Sequence, residues 1–173
     1  MTRAFIAVGS NINPAENVLE AIDRLAEQTR VVAVSTVYRT EPLGRPEQPP
    51  YYNCVAEIET EIPPLALKQQ VLRRVEADLG RERGEDKYAP RTIDLDLVVY
   101  DDLIVDTDDL TLPDPQILHR PFLAIPLREL APRLTLPGLD RPMKEVAAQP
   151  PGSMQPLENY TLLLRRTIRH GSE

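Results

Sequence analysis

The chain has 173 residues, 42% of them hydrophobic and 27% charged, with a formal net charge of −7. That length can bury one core without staples, no apolar run approaches the ~20 residues of a membrane helix, and the negative balance argues against nucleic-acid or anionic-membrane partners. The lone Cys54 excludes an internal disulfide and a thiolate metal site. With no signal-peptide layout at the N-terminus, the expectation is a cytoplasmic, monomeric, single-domain protein.

In chain order, Arg3 to Ser10 is an apolar run closed by Gly9 and Ser10, which predicts a central strand. Asn13-Pro14-Ala15-Glu16 has the layout of a helix start, with Asn13 as N-cap and Glu16 reaching back. Val18, Leu19, Ile22, Leu25 and Ala26 then share one stripe, so the helix is expected to end near Gln28. Val31 to Tyr38 is rich in β-branched residues and reads as a second strand; the proline-rich stretch 40–50 suits neither helix nor ladder. Alternation resumes over Tyr51 to Glu61 as a third strand. Pro63-Pro64 opens a second helix with Leu67, Val71, Leu72, Val75 and Leu79 on its buried face, ending at Gly80.

A polar loop, 81–90, leads into Arg91-Thr92-Ile93-Asp94-Leu95-Asp96-Leu97-Val98-Val99-Tyr100, where Ile93, Leu95, Leu97 and Val99 alternate with Asp94 and Asp96. Strand, helix, strand, strand, helix, strand is the split βαβ order of ferredoxin-like α+β sandwiches, with one antiparallel sheet and both helices on one face. Ile93, Leu95, Leu97 and Val99 are then expected against the helices, and Asp94 and Asp96 on the open face. Beyond it, Leu103 to Val105 and Leu110 to Leu112 are expected as a small extra hairpin, and Phe122 to Leu130 as a short helix. For Tyr160 to Ile168, strand and helix remain open.

Chemistry concentrates around the aspartates. Two residues along a strand span about 6.5–7 Å, so both carboxylates converge on one place and need a positive charge between them. Arg81, Arg83, Lys87 and Arg91 precede the strand, and His119 and Arg120 follow it. Carboxylates beside arginine forks fit Mg²⁺ held by hard oxygens, with the ions bridging a nucleotide's phosphates. At the other edge of the sheet, Tyr51 and Asn53 offer a stacking ring and a planar amide suited to a flat heterocycle, and Phe122 is a candidate opposite wall.

Several ordered segments together, Gly9-Ser10-Asn11, Tyr38-Arg39-Thr40-Glu41-Pro42-Leu43-Gly44, Gln48-Pro49 with Tyr51 and Asn53, Gly80-Arg81-Glu82-Arg83, Pro90 to Asp96, and Arg120-Pro121-Phe122 with Pro126-Leu127, resemble the 6-hydroxymethyl-7,8-dihydropterin pyrophosphokinases of folate biosynthesis. The resemblance covers about residues 3–132 and leaves 133–173 as an extension of the same domain. It implies transfer of diphosphate from ATP to the pterin's hydroxymethyl group, with two Mg²⁺ ions on Asp94 and Asp96. It implies Arg81 and Arg91 as catalytic arginines, and a nucleotide set of Arg81, Arg83, Lys87, Tyr88, Arg91, Thr111, Asp114 and Arg120. The pterin set it implies is Thr40, Glu41, Leu43, Tyr51, Asn53 and Phe122, with Tyr88 where the family often has tryptophan. Two positions depart from the family. Asp114 stands where histidine is frequent, and an ionised aspartate cannot donate to phosphate; Asp109 stands where arginine occurs. A non-catalytic ligand-binding domain on the same fold is the alternative, and an RNA-binding sheet is disfavoured by the Asp pair and the net charge.

Overall fold

The computed structural model describes residues 1–42, 46–82, 84, 86, 89–139, 141–146 and 153–170. Its frame is an antiparallel sheet built from β1 (Thr2–Ser10), β2 (Arg30–Val34), β3 (Tyr38–Thr40), β4 (Tyr51–Thr60), β5 (Asp94–Tyr100) and, near the C-terminus, β8 (Met154–Pro156). The strand order is β5-β1-β4-β3-β8, with β2 also on β4. The α+β sandwich order expected from the elements is therefore present. A two-stranded hairpin, β6 (Val105–Asp106) with β7 (Thr111–Leu112), stands apart from it.

Two apolar layers sandwich the sheet. On one face, α1 (Pro14–Gln28) sends Val18, Ala21, Ile22 and Leu25 onto Ile6, Val8, Cys54, Ala56 and Ile58. Beside α1 runs one continuous helical segment: α2 (Pro64–Ala66), a π-helical stretch (Leu67–Leu72) and α3 (Arg73–Asp78). In it, Leu67, Leu72 and Val75 complete the layer. Each such buried side chain contributes about 1.5–3 kcal/mol of transfer free energy. The same face also takes α6 (Glu158–His170), through Leu164 and an edge-on contact of Tyr160 with Tyr52 at 5.4 Å.

The second face is not open along its whole length. There α4 (Pro121–Leu130) and the short α5 (Met143–Val146) cover Phe5, Ala7, Val55 and Val99. Both helices of the split βαβ unit lie on the first face as expected; the short helix expected at 122–130 takes the other, because the apolar odd positions of β1 and β4 need a cover of their own. Val99 is a correction. The β1/β5 register pairs Phe5 with Val99 but Ile6 with Leu97, so Val98 is an extra residue in a bulge. One extra residue flips the alternation, and Val98 and Val99 both join the second layer while Leu95 and Leu97 keep the first.

Two further departures concern the start of α1 and the run 31–38. Asn13 adopts φ 42°, ψ 53°, and its side chain makes no cap bond; the helix start rests on Pro14 instead. The run 31–38 divides into β2 and β3, and between them Ser35 replaces the ladder: its N–H donates to Val55 O (2.9 Å) and its Oγ accepts from Val55 N (2.9 Å). Val37 is then held by α6, donating to Thr161 Oγ1 (2.9 Å) and accepting from Leu157 N (2.8 Å). The segment 160–168 is thus helical, as the tertiary contact requires. Among the described residues no helix is long and apolar enough to cross a membrane.

Candidate active site

Where α4 leaves the second face uncovered, the sheet carries a rung of four residues, Asp94–Gly9–Asn53–Tyr38, across β5, β1, β4 and β3. The next position on β1 along this face is Ala7, opposite Asp96. Glycine and alanine on the central strand leave a trough, and a cavity of about 340 Å³ lies over them.

At one end of the trough stand the carboxylates. Arg81 Nη1 donates to Asp94 Oδ1 (2.8 Å) and Arg91 Nη1 to Oδ2 (2.7 Å). Burial alone would raise the Asp94 pKa, but Arg91 and Arg81 outweigh it and hold the carboxyl below the ordinary range. Asp96 lies under the opposite influence. Burial and then the Asp94 charge push it up to about 7, Arg73 opposes, and Glu76 and Asp114 add to the rise. Arg73 Nη2 stands 4.0 Å from Asp96 Oδ1, and 46% of the Asp96 side chain stays exposed.

At the other end is a polar slot between rings. Asn53 Nδ2 donates to Thr40 Oγ1 (2.7 Å), which fixes the amide plane. Tyr51 and Phe122 both line the cavity, Phe122 from the first turn of α4, and Glu41 lies at the rim. Burial raises the Tyr51 pKa, keeping the phenol neutral. Glycine at position 9 leaves room for the amide, because a Cβ on it would sit 2.7 Å from Asn53 Oδ1 and force one of the two to shift.

A buried side chain ties the two ends together. Asn11, 2% exposed, accepts from Arg91 N at Oδ1 (2.7 Å) and donates from Nδ2 to Gln48 Oε1 and Pro49 O (3.3 Å each). One amide thereby holds both loops that frame the trough. A second cavity of about 270 Å³ adjoins the first and shares Asp96, Asp114 and Gln116 with it. Lys68, Arg73 and Thr111 form its other walls. Asp114 caps the 3₁₀ turn Pro115–Leu118 by accepting from Gln116 N (2.8 Å), and burial raises its pKa.

Of the residues singled out in the sequence, Thr40, Glu41, Tyr51, Asn53, Arg91, Asp94, Asp96, Asp114, Arg120 and Phe122 all line the first cavity, and Thr111 and Asp114 the second. Arg81 lines neither; its Nη1 is committed to Asp94 and to Ile93 O (3.0 Å), behind the carboxylate. Arg120 donates from Nε to Gln116 Oε1 (3.0 Å) at the junction of the cavities. Leu43, Arg83, Lys87 and Tyr88 lie outside the described residues. Sequence reasoning placed Asn11 and Gln48 in motif segments without giving them a role, and missed Arg73, Glu76 and Gln116. Of these last three, only Glu76 left a signal, as a lone carboxylate four residues after Leu72 on an otherwise apolar stripe.

Hard oxygen donors at Asp94 and Asp96 suit a hard cation. Mg²⁺ is commonly held by one or two carboxylates, the rest of its shell being water and ligand phosphate. The rise in the Asp96 pKa comes first from burial and then from the neighbouring carboxylate charges, Asp94 foremost. Arg81 Nε is buried without an acceptor among the described residues, which adds a free donor behind the carboxylates.

Fold and site together define an α+β sandwich that carries a two-ended small-molecule cavity on its partly covered face. The sequence model of 7,8-dihydro-6-hydroxymethylpterin-pyrophosphokinase matches residues 5–132. A Haemophilus influenzae 2-amino-4-hydroxy-6-hydroxymethyldihydropteridine pyrophosphokinase is 42% identical over 142 residues, covering 80% of this chain and 87% of its own. The protein of the same name from Pseudomonas aeruginosa is 40% identical, covering 78% and 84%. The crystal structure of wild-type Plasmodium falciparum HPPK-DHPS superposes with a TM-score of 0.62 at 13% identity, over 84% of this chain and 43% of that one. This chain therefore spans under half of that longer protein, and the likeness speaks for the fold. The chain belongs to the 7,8-dihydro-6-hydroxymethylpterin-pyrophosphokinase family.

Proposed function

We propose that the protein transfers the terminal diphosphate of ATP to the hydroxymethyl oxygen of 6-hydroxymethyl-7,8-dihydropterin, a step of folate biosynthesis. The observation that carries the reading is the union, in one 340 Å³ cavity, of an amide and aromatic slot with a carboxylate and arginine end. The pterin's flat edge meets Asn53 and Thr40, its ring lies between Tyr51 and Phe122, and its hydroxymethyl group points along the floor over Gly9 and Ala7. The nucleotide enters through the second cavity, past Thr111 and Asp114, with its phosphates reaching Asp96 and Arg120.

The hydroxymethyl oxygen forms a bond to the β-phosphorus of ATP as the bond from that phosphorus to the α,β-bridging oxygen breaks. AMP leaves, and the hydroxyl proton passes to solvent. Asp94 and Asp96 would hold two Mg²⁺ ions, which neutralise phosphate charge when bound. Arg91 and Arg120 place positive charge on the cavity wall, and Arg81 keeps Asp94 ionised. The small residues of the floor let the two substrates approach, so positioning supplies much of the rate. The reading makes the protein a monomeric cytoplasmic enzyme without a nucleic-acid partner, in keeping with a net charge of −7. Incubation with ATP, Mg²⁺ and the reduced hydroxymethylpterin tests it: AMP is expected, and no AMP above a protein-free control would sink the proposal.

A further inference from the structure

β5 lies at the edge of the sheet, paired with β1 on one side only. An edge strand leaves alternate N–H and C=O groups without ladder partners. At Leu95, the residue between the two aspartates, side chains from α3 take both groups. Leu95 N donates to Glu76 Oε2 (3.0 Å), and Leu95 O accepts from Arg73 Nη1 (3.1 Å). The bracket closes on itself, because Arg73 Nη1 also donates to Glu76 Oε1 (2.7 Å).

Glu76 is 1% exposed and reaches a second arginine as well, Arg81 Nη1 at 3.6 Å. Each of these arginines faces one aspartate: Arg81 is bonded to Asp94 at 2.8 Å, and Arg73 stands 4.0 Å from Asp96. A buried carboxylate is a costly way to staple a strand; an apolar contact of the same volume does as well or better for stability alone. What the charge adds is orientation of two guanidinium groups toward two carboxylates from a single point. The helix is also irregular just before it, where the Arg73 amide reaches back five residues to Lys68 O. Such π-turns are frequent beside functional sites.

We propose that Glu76 is the positioning residue of the carboxylate centre: it fixes the Leu95 backbone and, through Arg73 and Arg81, the places of Asp96 and Asp94. The inference rests on the diphosphate-transfer reading above. AMP formation by the parent tests that reading, whereas variants of Glu76 test this one. Glu76→Asp keeps the charge but shortens the reach to Leu95 N; Glu76→Gln keeps the reach and an acceptor but loses the charge. Outer partners of metal ligands commonly matter by about 10–100-fold. Both variants are therefore expected to weaken binding of Mg²⁺ with a non-hydrolysable ATP analogue by about 10-fold or more, measured by calorimetry. The kcat should fall, while the KM and the Kd for the pterin stay within about twofold, because the Asn53 slot lies on other strands.

If Glu76→Asp matches the parent in Mg²⁺-nucleotide affinity and kcat, the proposal is overturned, since charge alone then suffices. Parallel loss of both ligands with a fallen unfolding temperature also overturns it, in favour of a structural role. Should Glu76→Asp fail to fold, the isosteric Glu76→Gln decides by the same criteria.

Discussion

Replacing Gly9 by alanine tests the slot most sharply. The added methyl would lie 2.7 Å from Asn53 Oδ1 and 3.9 Å from a Tyr51 ring carbon. Carbon and oxygen in ordinary contact stand at least about 3.3 Å apart, so the amide has to retreat by about 0.6 Å. It cannot do so for free, since Asn53 Nδ2 is bonded to Thr40 Oγ1 at 2.7 Å. Losing that bond costs about 0.5–1.5 kcal/mol, and an off-rotamer side chain costs about 0.5–1.5 kcal/mol more. Against this, alanine in a strand interior is favoured over glycine by roughly 0.5–1 kcal/mol. The net loss of stability is then about 0–2.5 kcal/mol, while an amide displaced from the heterocycle edge forfeits hydrogen bonds worth about 1–3 kcal/mol of affinity. Gly9→Ala is expected to raise the pterin Kd by about 10–100-fold, with a fall in unfolding temperature of no more than about 10 °C and Mg²⁺-nucleotide binding within about threefold. Calorimetric titration of each ligand and a thermal melt measure these together. Pterin binding within twofold of the parent would refute the geometry of the slot.

Asp96 makes cation binding pH-dependent. Its native pKa is pushed up to about 7 from 3.8, so a cation has to displace a proton below neutrality; Mg²⁺ affinity should rise as pH increases toward 7 and level off above it, and Asp96→Asn should weaken binding and abolish that slope. The metal-free protein follows the converse rule: between about pH 4 and 7 the native state holds a proton that the unfolded chain has released, so this carboxyl makes the protein less stable as pH rises, a trend that thermal melts of parent and Asp96→Asn will show or exclude. Asn11→Ala removes the acceptor of the Arg91 amide and the tie to Gln48 and Pro49; a stability loss of about 1–3 kcal/mol in urea titration is expected, with kcat falling further than either ligand's affinity. Phe122→Ala takes away one wall of the slot and should weaken pterin binding by about 1–3 kcal/mol while leaving nucleotide affinity intact; equal loss for both ligands would assign Phe122 to the core instead.

Periodicity in the chain determined a good part of this protein. Side chains two apart on a strand and three or four apart on a helix share a face, and that alone determined the core of α1, the alternation of β4 and the common face of Asp94 and Asp96. Pro14, Pro63-Pro64 and Gly80 marked helix ends because their backbone preferences are local. What covers each face is a matter of distant contacts, and there the sequence was silent. Only the tertiary structure decided that α4 and α5 close part of the second face, that the extra residue Val98 turns Val99 away from α1 and α3 and onto that face, and that 160–168 is a helix seated on Tyr52 and Val37. The same holds for Asn11 and Glu76. Their type was plain, but their partners lie at Arg91, Gln48 and Leu95, brought within hydrogen-bond reach only when loops and edge strand fold against one another.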